Sequence, residues 1–197
     1  MNTKELVISG EEVFNFVEYA LKHNEANDIE FRDCEFYKEG LEKLINNKEY
    51  KRIAFIDCTF EDSNFIKSIN TKSLSIIDSN IDNYEFIYSM NKLESLTVVN
   101  GNIDINGINY LTNLEYLRLS HSTISNIESI KLNELKYLFI DNTNINNLSF
   151  INNLPSLELL SISDIQESNN RDLIKLILGK IKVIKDSIVE MEVTEND

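Results

Sequence analysis

The sequence predicts an α/β solenoid, with short coils stacked side by side, a parallel β-sheet along the concave face and helical turns or loops along the convex face. Three observations predict it. An apolar residue recurs at Ile29, Ile53, Leu74, Leu96, Leu117, Leu138 and Leu160, in steps of 24, 21, 22, 21, 21 and 22 residues. Four further apolar columns keep the same step. One proline and five glycines in 197 residues leave no flexible linker, so the repeat belongs to a single array.

Each column has a physical role. Two residues after the key position stand Phe31, Phe55, Ile76, Val98, Leu119, Ile140 and Ile162. Key and second positions are alternate side chains of a short strand, so both point to one face. Seven residues after the key position, Phe36, Phe60, Ile81, Ile103, Ile124 and Ile145 turn the chain inward. Three before it stand Leu93, Leu114, Leu135 and Leu157, with Tyr50 and Thr71 as weaker members. Ile66, Ile87, Ile108, Ile130 and Ile151 line the segment that closes each coil. One coil cannot bury its own apolar face, so neighbours must stack into a continuous core. At about 4.8 Å between strands, seven coils make a ladder roughly 30 Å long.

An open stack needs caps at both ends. Three regions are therefore expected: a helical N-terminal cap over 1–26, the solenoid over 27–165 and a C-terminal cap over 166–197. At the N-terminus, Ser9-Gly10-Glu11-Glu12 reads as a capping box before a helix whose apolar face is Val13, Phe16, Val17, Ala20 and Leu21. A helix-like piece over 40–47 accounts for the longer first step. Beyond the repeats, Arg171 to Leu178 reads as a helix stopped by Gly179, followed by a strand or hairpin within Lys180 to Val193. Arg171, Lys175, Lys180, Lys182 and Lys185 make this stretch locally basic, read as a solvated cap face.

The columns, and LTNLEYLRLSHSTISNIESI above all, resemble leucine-rich repeats of the short bacterial, internalin-like type with 21- to 22-residue repeats. The resemblance covers about residues 27 to 165. In that family the fifth position after the key leucine is usually Asn or Cys. Here it holds Cys34, Cys58, Ser79, Gly101, Ser122 and Thr143, so no Asn ladder fills the row. Relatives commonly bind proteins on the concave face, and the resemblance implies the same use here.

Composition narrows the partners. A formal net charge of -14 and a pI near 4.6 repel phosphate backbones and anionic lipid, so neither nucleic acid nor membrane is expected. No apolar run approaches the roughly 20 residues that span a bilayer. No signal peptide is visible, and two cysteines suit a reducing cytoplasm. Cys34 and Cys58 share a column in adjacent coils, where a disulfide is geometrically conceivable. The expected state is two buried, slowly reacting thiols.

Candidate chemistry is sparse. Two cysteines cannot complete a zinc site, and His23 and His121 lack metal-pair spacing or a nucleophile. There is no phosphate-binding loop, nucleophile elbow or zinc-protease helix. No catalytic residue, cofactor, metal or small-molecule substrate is expected. Asp33, Asp57 and Asp78 form a row continued by Asn100, His121 and Asn142, four residues after the key position. Such residues hydrogen-bond the following turn, with a weak divalent-cation site as the alternative.

Between the inward positions, strand residues face the concave side. One before the key position stand Arg52, Ser73, Ser95, Tyr116, Tyr137 and Leu159; one after stand Ala54, Ser75, Thr97, Arg118, Phe139 and Ser161. A third row holds Ile56, Ile77, Val99, Ser120, Asp141 and Ser163. Aromatic residues and Arg dominate binding hot spots. The expected contact set is Tyr116, Arg118, Tyr137 and Phe139, with His121 and Asp141. The expected function is a protein-interaction module that docks a partner protein on the concave sheet face; the acidity is read first as serving solubility, with a basic partner as the alternative. The alternative is an intracellular, immunity-type antagonist of a basic toxin or nuclease.

Overall fold

A computed structural model describes residues 5–10, 26–37 and 48–185. In chain order the strands are β1 Glu5–Ser9, β2 Asp28–Arg32, β3 Glu35–Phe36, β4 Glu49–Ile56, β5 Thr59–Phe60, β6 Asn70–Ile77 and β7 Ser95–Val99. They continue with β8 Asn102–Asp104, β9 Tyr116–Arg118, β10 Thr123–Ser125, β11 Tyr137–Phe139, β12 Leu159–Ile162 and β13 Lys182–Lys185. Nine of them form one parallel sheet in the order β1-β2-β4-β6-β7-β9-β11-β12-β13. The register follows the repeat: Ile29 faces Ile53, then Leu74, Leu96, Leu117, Leu138 and Leu160 in turn. The seven rungs that carry the key residues number the coils one to seven from Ile29.

The sheet also runs past both expected boundaries. Leu6 and Ile8 of β1 stand opposite Ile29 and Phe31, and Val183 of β13 stands opposite Leu160. Steps of 23 residues, from 6 to 29 and from 160 to 183, are the signal for these two rungs. Ser9-Gly10 ends a strand, where sequence reasoning places a helix start. Gly10 has φ 79° and its amide donates to Arg32 O at 3.0 Å, the geometry that closes later rungs as well. The expected N-terminal helix, His23 and the piece over 40–47 lie outside the described residues. At the other end the helix Arg171–Ile177 stands where expected, preceded by a second one, Asp164–Asn169.

Strand exit explains the Asp/Asn/His row. Asp33, Asp57, Asp78, Asn100, His121 and Asn142 all have φ between 50° and 59°. Among residues with a side chain, Asn, Asp and His enter this left-handed region most readily. The amides of Asp33, Asp57, Asp78 and His121 donate to Ile56, Ile77, Val99 and Asp141 of the following coil at 3.0 to 3.3 Å. The row therefore turns the chain and ties one coil to the next.

The row beside it keeps its ladder without Asn. Cys34 and Cys58 thiols donate to Ile8 O and Phe31 O in the preceding coil, each at 3.5 Å. The Ser122 hydroxyl donates to Val98 O at 3.3 Å and accepts the Gly101 amide at 3.0 Å. At Gly101 a Cβ would overlap Val98 Cγ1 and lie 3.0 Å from the Tyr84 hydroxyl, so the Val98 methyl, flanked by the Tyr84 ring, occupies the space of the absent side chain. Burial pushes the Tyr84 phenol up to about 12. In coil seven the row position is Ile165, and the next residue, Gln166, supplies the bonds instead, donating to Ile140 O at 3.0 Å and Ile145 O at 2.9 Å.

On the convex side the coil closes through short 3-10 turns such as Ser63–Ser68, Glu85–Ser89 and Ser149–Asn153. Coils this brief have room for little more than one or two turns. Core composition changes along the stack. In coils one and two the rings of Phe31 and Phe55 stack at 5.3 Å and those of Phe36 and Phe60 at 4.8 Å. From coil three onward Leu and Ile fill most of the same columns.

Candidate docking face

The concave side of the sheet divides into three zones. In the first, Arg52 reaches Asp28 at 2.7 Å, Glu30 at 3.2 Å and Glu5 at 2.9 Å, while Arg32 also pairs with Glu30. The Glu30 side chain is buried between the two guanidinium groups, so its charge is neutralised within the sheet. The second zone is a floor of small hydroxyl residues: Ser73 stands beside Ser95, and Ser75 beside Thr97.

Aromatic residues make the third zone, on coils five and six. Register sets Tyr116 beside Tyr137 and Arg118 beside Phe139. Ring centroids are 5.0 Å apart for Tyr116 and Phe139 and 6.4 Å for Tyr116 and Tyr137. The Arg118 guanidinium lies 5.3 Å from the Phe139 centroid, a cation–π contact. Burial raises the Tyr116 phenol above its ordinary value, opposed by Arg118, which hydrogen-bonds it.

Of the six expected contact residues, the structure brings four together. Tyr137 is 37% exposed and Tyr116 and Phe139 are half-buried, so these rings form the surface. Arg118 is only 7% exposed, which makes it a support beneath the rings. Asp141 is 1% exposed and accepts the Ser161 hydroxyl at 2.8 Å, so it too lies below the surface. His121 is exposed in its left-handed turn at the strand-end rim, apart from the rings. Ser120, placed by the sequence in the third concave row but outside the expected contact set, is fully buried, and its Oγ has no hydrogen-bond partner among the described residues. A small hydroxyl carries no hot-spot signal in sequence, and only its burial marks it out.

Elsewhere the chemistry is quiet. Cys34 and Cys58 are buried and unbridged. A hydrogen bond with Cys34, together with burial, pushes the Cys58 thiol far above its ordinary range and keeps it protonated. Among the described residues, no group of three or more His, Cys, Asp and Glu could hold a metal ion. Among them also, no helix is long and apolar enough to cross a membrane.

No protein-family profile and no curated protein matches the sequence. Solved structures do. An internalin (inlF) from Listeria monocytogenes superposes with a TM-score of 0.64 at 18% identity, over 89% of this chain and 56% of that one. An internalin C2 (inlC2) from the same organism gives 0.54 at 22% identity, over 77% of this chain and 69% of that one. The chain thus spans little more than half the length of the first internalin. Identities this low speak to fold alone. The register of nine parallel strands and these neighbours together identify the chain as a leucine-rich-repeat solenoid with an internalin-like fold.

Proposed function

We propose that the protein is an interaction module that docks a partner protein on the concave face of its sheet, centred on coils five and six. One observation carries this reading: three aromatic rings gathered over a buried arginine on adjacent strands. Strand register and the supports below hold the rings in place before any partner arrives, which lowers the ordering cost of association. Tyr and Arg are also the residue types that concentrate binding energy at interfaces. The reading assigns the protein a binding role and no catalytic one. It acts in a reducing compartment such as the cytoplasm, a placement that two unbridged thiols support and cell fractionation tests.

The test is to isolate the partner that co-purifies with the protein from its native cells, and to titrate it against a variant. The variant replaces Tyr116, Tyr137 and Phe139 with Ser and Arg118 with Ala. Affinity should fall by more than about tenfold while the circular dichroism spectrum is retained. Unchanged affinity in the folded variant discards the assignment.

The net charge of -14 favours a second, narrower reading: an immunity-type antagonist that masks a basic toxin or nuclease. Electrostatic steering would then dominate encounter, and the association rate would fall steeply with added salt. Capture that ignores salt removes this reading and leaves the broader one.

A further inference from the structure

We infer that the element seated on the concave face is a basic protein segment bearing one aromatic or aliphatic anchor, with the anchor on coils five and six and its cationic residues at the rim of coils two and three. The inference rests on the docking reading above and adds the partner's chemistry and orientation.

The concave face is asymmetric in height and in charge. Tyr116, Tyr137 and Phe139 form a wall, and the hydroxyl floor of Ser73, Ser75, Ser95 and Thr97 lies beside it. At the foot of the wall, in the row between Val99 and Asp141, stands the fully buried Ser120, whose Oγ has no partner among the described residues. An orphaned buried hydroxyl costs stability and marks imperfect polar packing beneath the rings. A segment that sets an anchor against the wall therefore has a low floor along which to continue.

Charge decides which segment fits. The cations of this face are already committed within the protein: Arg52 to three carboxylates, Arg32 to Glu30, and Arg118 beneath Phe139 and Tyr116. Along the strand-end rim, Asp57 and Asp78 carry negative charge, with the Asn100 amide donating to Asp78. No Lys or Arg occurs within residues 53–66, 74–91 or 96–117. The fold does not require that charge, because neutral Asn100 and Asn142 adopt the same backbone one and three coils beyond Asp78. An approaching segment thus meets an apolar wall and a floor with exposed carboxylates along its strand-end rim, and a cationic chain is complementary to both.

Geometry sets the spacing. Asp78 and Tyr116 are two rungs apart, and Asp57 and Tyr137 four, and in each pair the carboxylate lies five residues further along its strand, so the separations are roughly 19 and 25 Å at strand geometry. An extended segment advances about 3.3 Å per residue. Its basic residues should therefore lie about six to eight positions from its anchor.

A phage-displayed library of random 12-residue peptides, panned on the whole protein, tests this before any partner is identified. Selected peptides should pair an aromatic or aliphatic residue with Lys or Arg at that spacing. Synthesised and titrated at low salt, they should bind Asp57→Asn/Asp78→Asn at least about fivefold more weakly. Glu134→Gln/Asp172→Asn, which removes two exposed charges elsewhere, should change affinity less than about twofold. Tyr137→Ser/Phe139→Ser should cost more than about tenfold. Peptides that need Tyr137 and Phe139 but carry no positive charge overturn this inference and leave the docking reading intact. Equal loss in the two charge variants also overturns it, since general acidity then explains the binding. Basic peptides indifferent to Tyr137 and Phe139 overturn the docking reading together with this one.

Discussion

Coils one and two and coils five and six share a backbone and use it for opposite ends. In the first pair, the concave side is spent on an internal network in which Arg52 bridges Asp28, Glu30 and Glu5. In the second, the equivalent rows present Tyr116, Tyr137 and Phe139 over Arg118. Inside, the contrast runs through the core as well, with stacked phenylalanines in the first pair and leucine and isoleucine in the second. The inward columns are required for stacking, whereas the outward rows are at liberty to carry a self-satisfied network or a binding surface.

The largest test of that division is Phe55→Ala. Phe55 is fully buried and packs on Phe31, Phe36 and Phe60, so the change should cost about 3 to 5 kcal/mol in chemical denaturation. A cost near that of a surface change would show that the aromatic stack is dispensable. Next comes Gly101→Ala, at about 1 to 3 kcal/mol, because its Cβ overlaps Val98 and crowds the buried Tyr84. Gly179→Ala, with nothing near its Cβ, is the matched control.

Tyr84 itself makes a pH prediction. Its folded value is pushed up to about 12 from an unfolded value of 10.0. The folded state then binds more protons than the unfolded state between those values. Its contribution is complete below pH 10 and should be lost as pH rises toward 12, by about 2 kcal/mol at most. Tyr84→Phe should flatten that part of the alkaline stability curve.

Arg52→Ala should cost about 1 to 2 kcal/mol, since buried Glu30 keeps Arg32 as a second partner. The smallest effect belongs to the other zone: Tyr137→Ser should change stability by less than about 0.5 kcal/mol, because its ring is exposed. A large loss of stability at Tyr137 would make the aromatic wall a structural element and remove the contrast between the two pairs of coils.

Much of this is legible in the residues. Apolar columns at a fixed step predict the register of all seven internal rungs. Two more rungs escape that pattern for a local reason: Gly10 reads as part of a helix cap, although it holds the left-handed exit position that Asp33 holds in the next coil. Tyr116, Arg118, Tyr137 and Phe139 are legible as neighbours because register follows from period. The depth of each is not, since a concave face crowds its longer side chains: Arg118 and Asp141 sink below the surface while Tyr137 stays above it.

The sequence by itself determined the coil, its period and which side of each strand a residue occupies, because a repeat that buries one face must place the same columns inward at every turn. Only the tertiary structure decided what the outward residues do. Whether a charge is neutralised, a ring exposed or a hydroxyl such as Ser120 left without a partner depends on neighbours about 20 residues away, brought to one rung spacing by stacking.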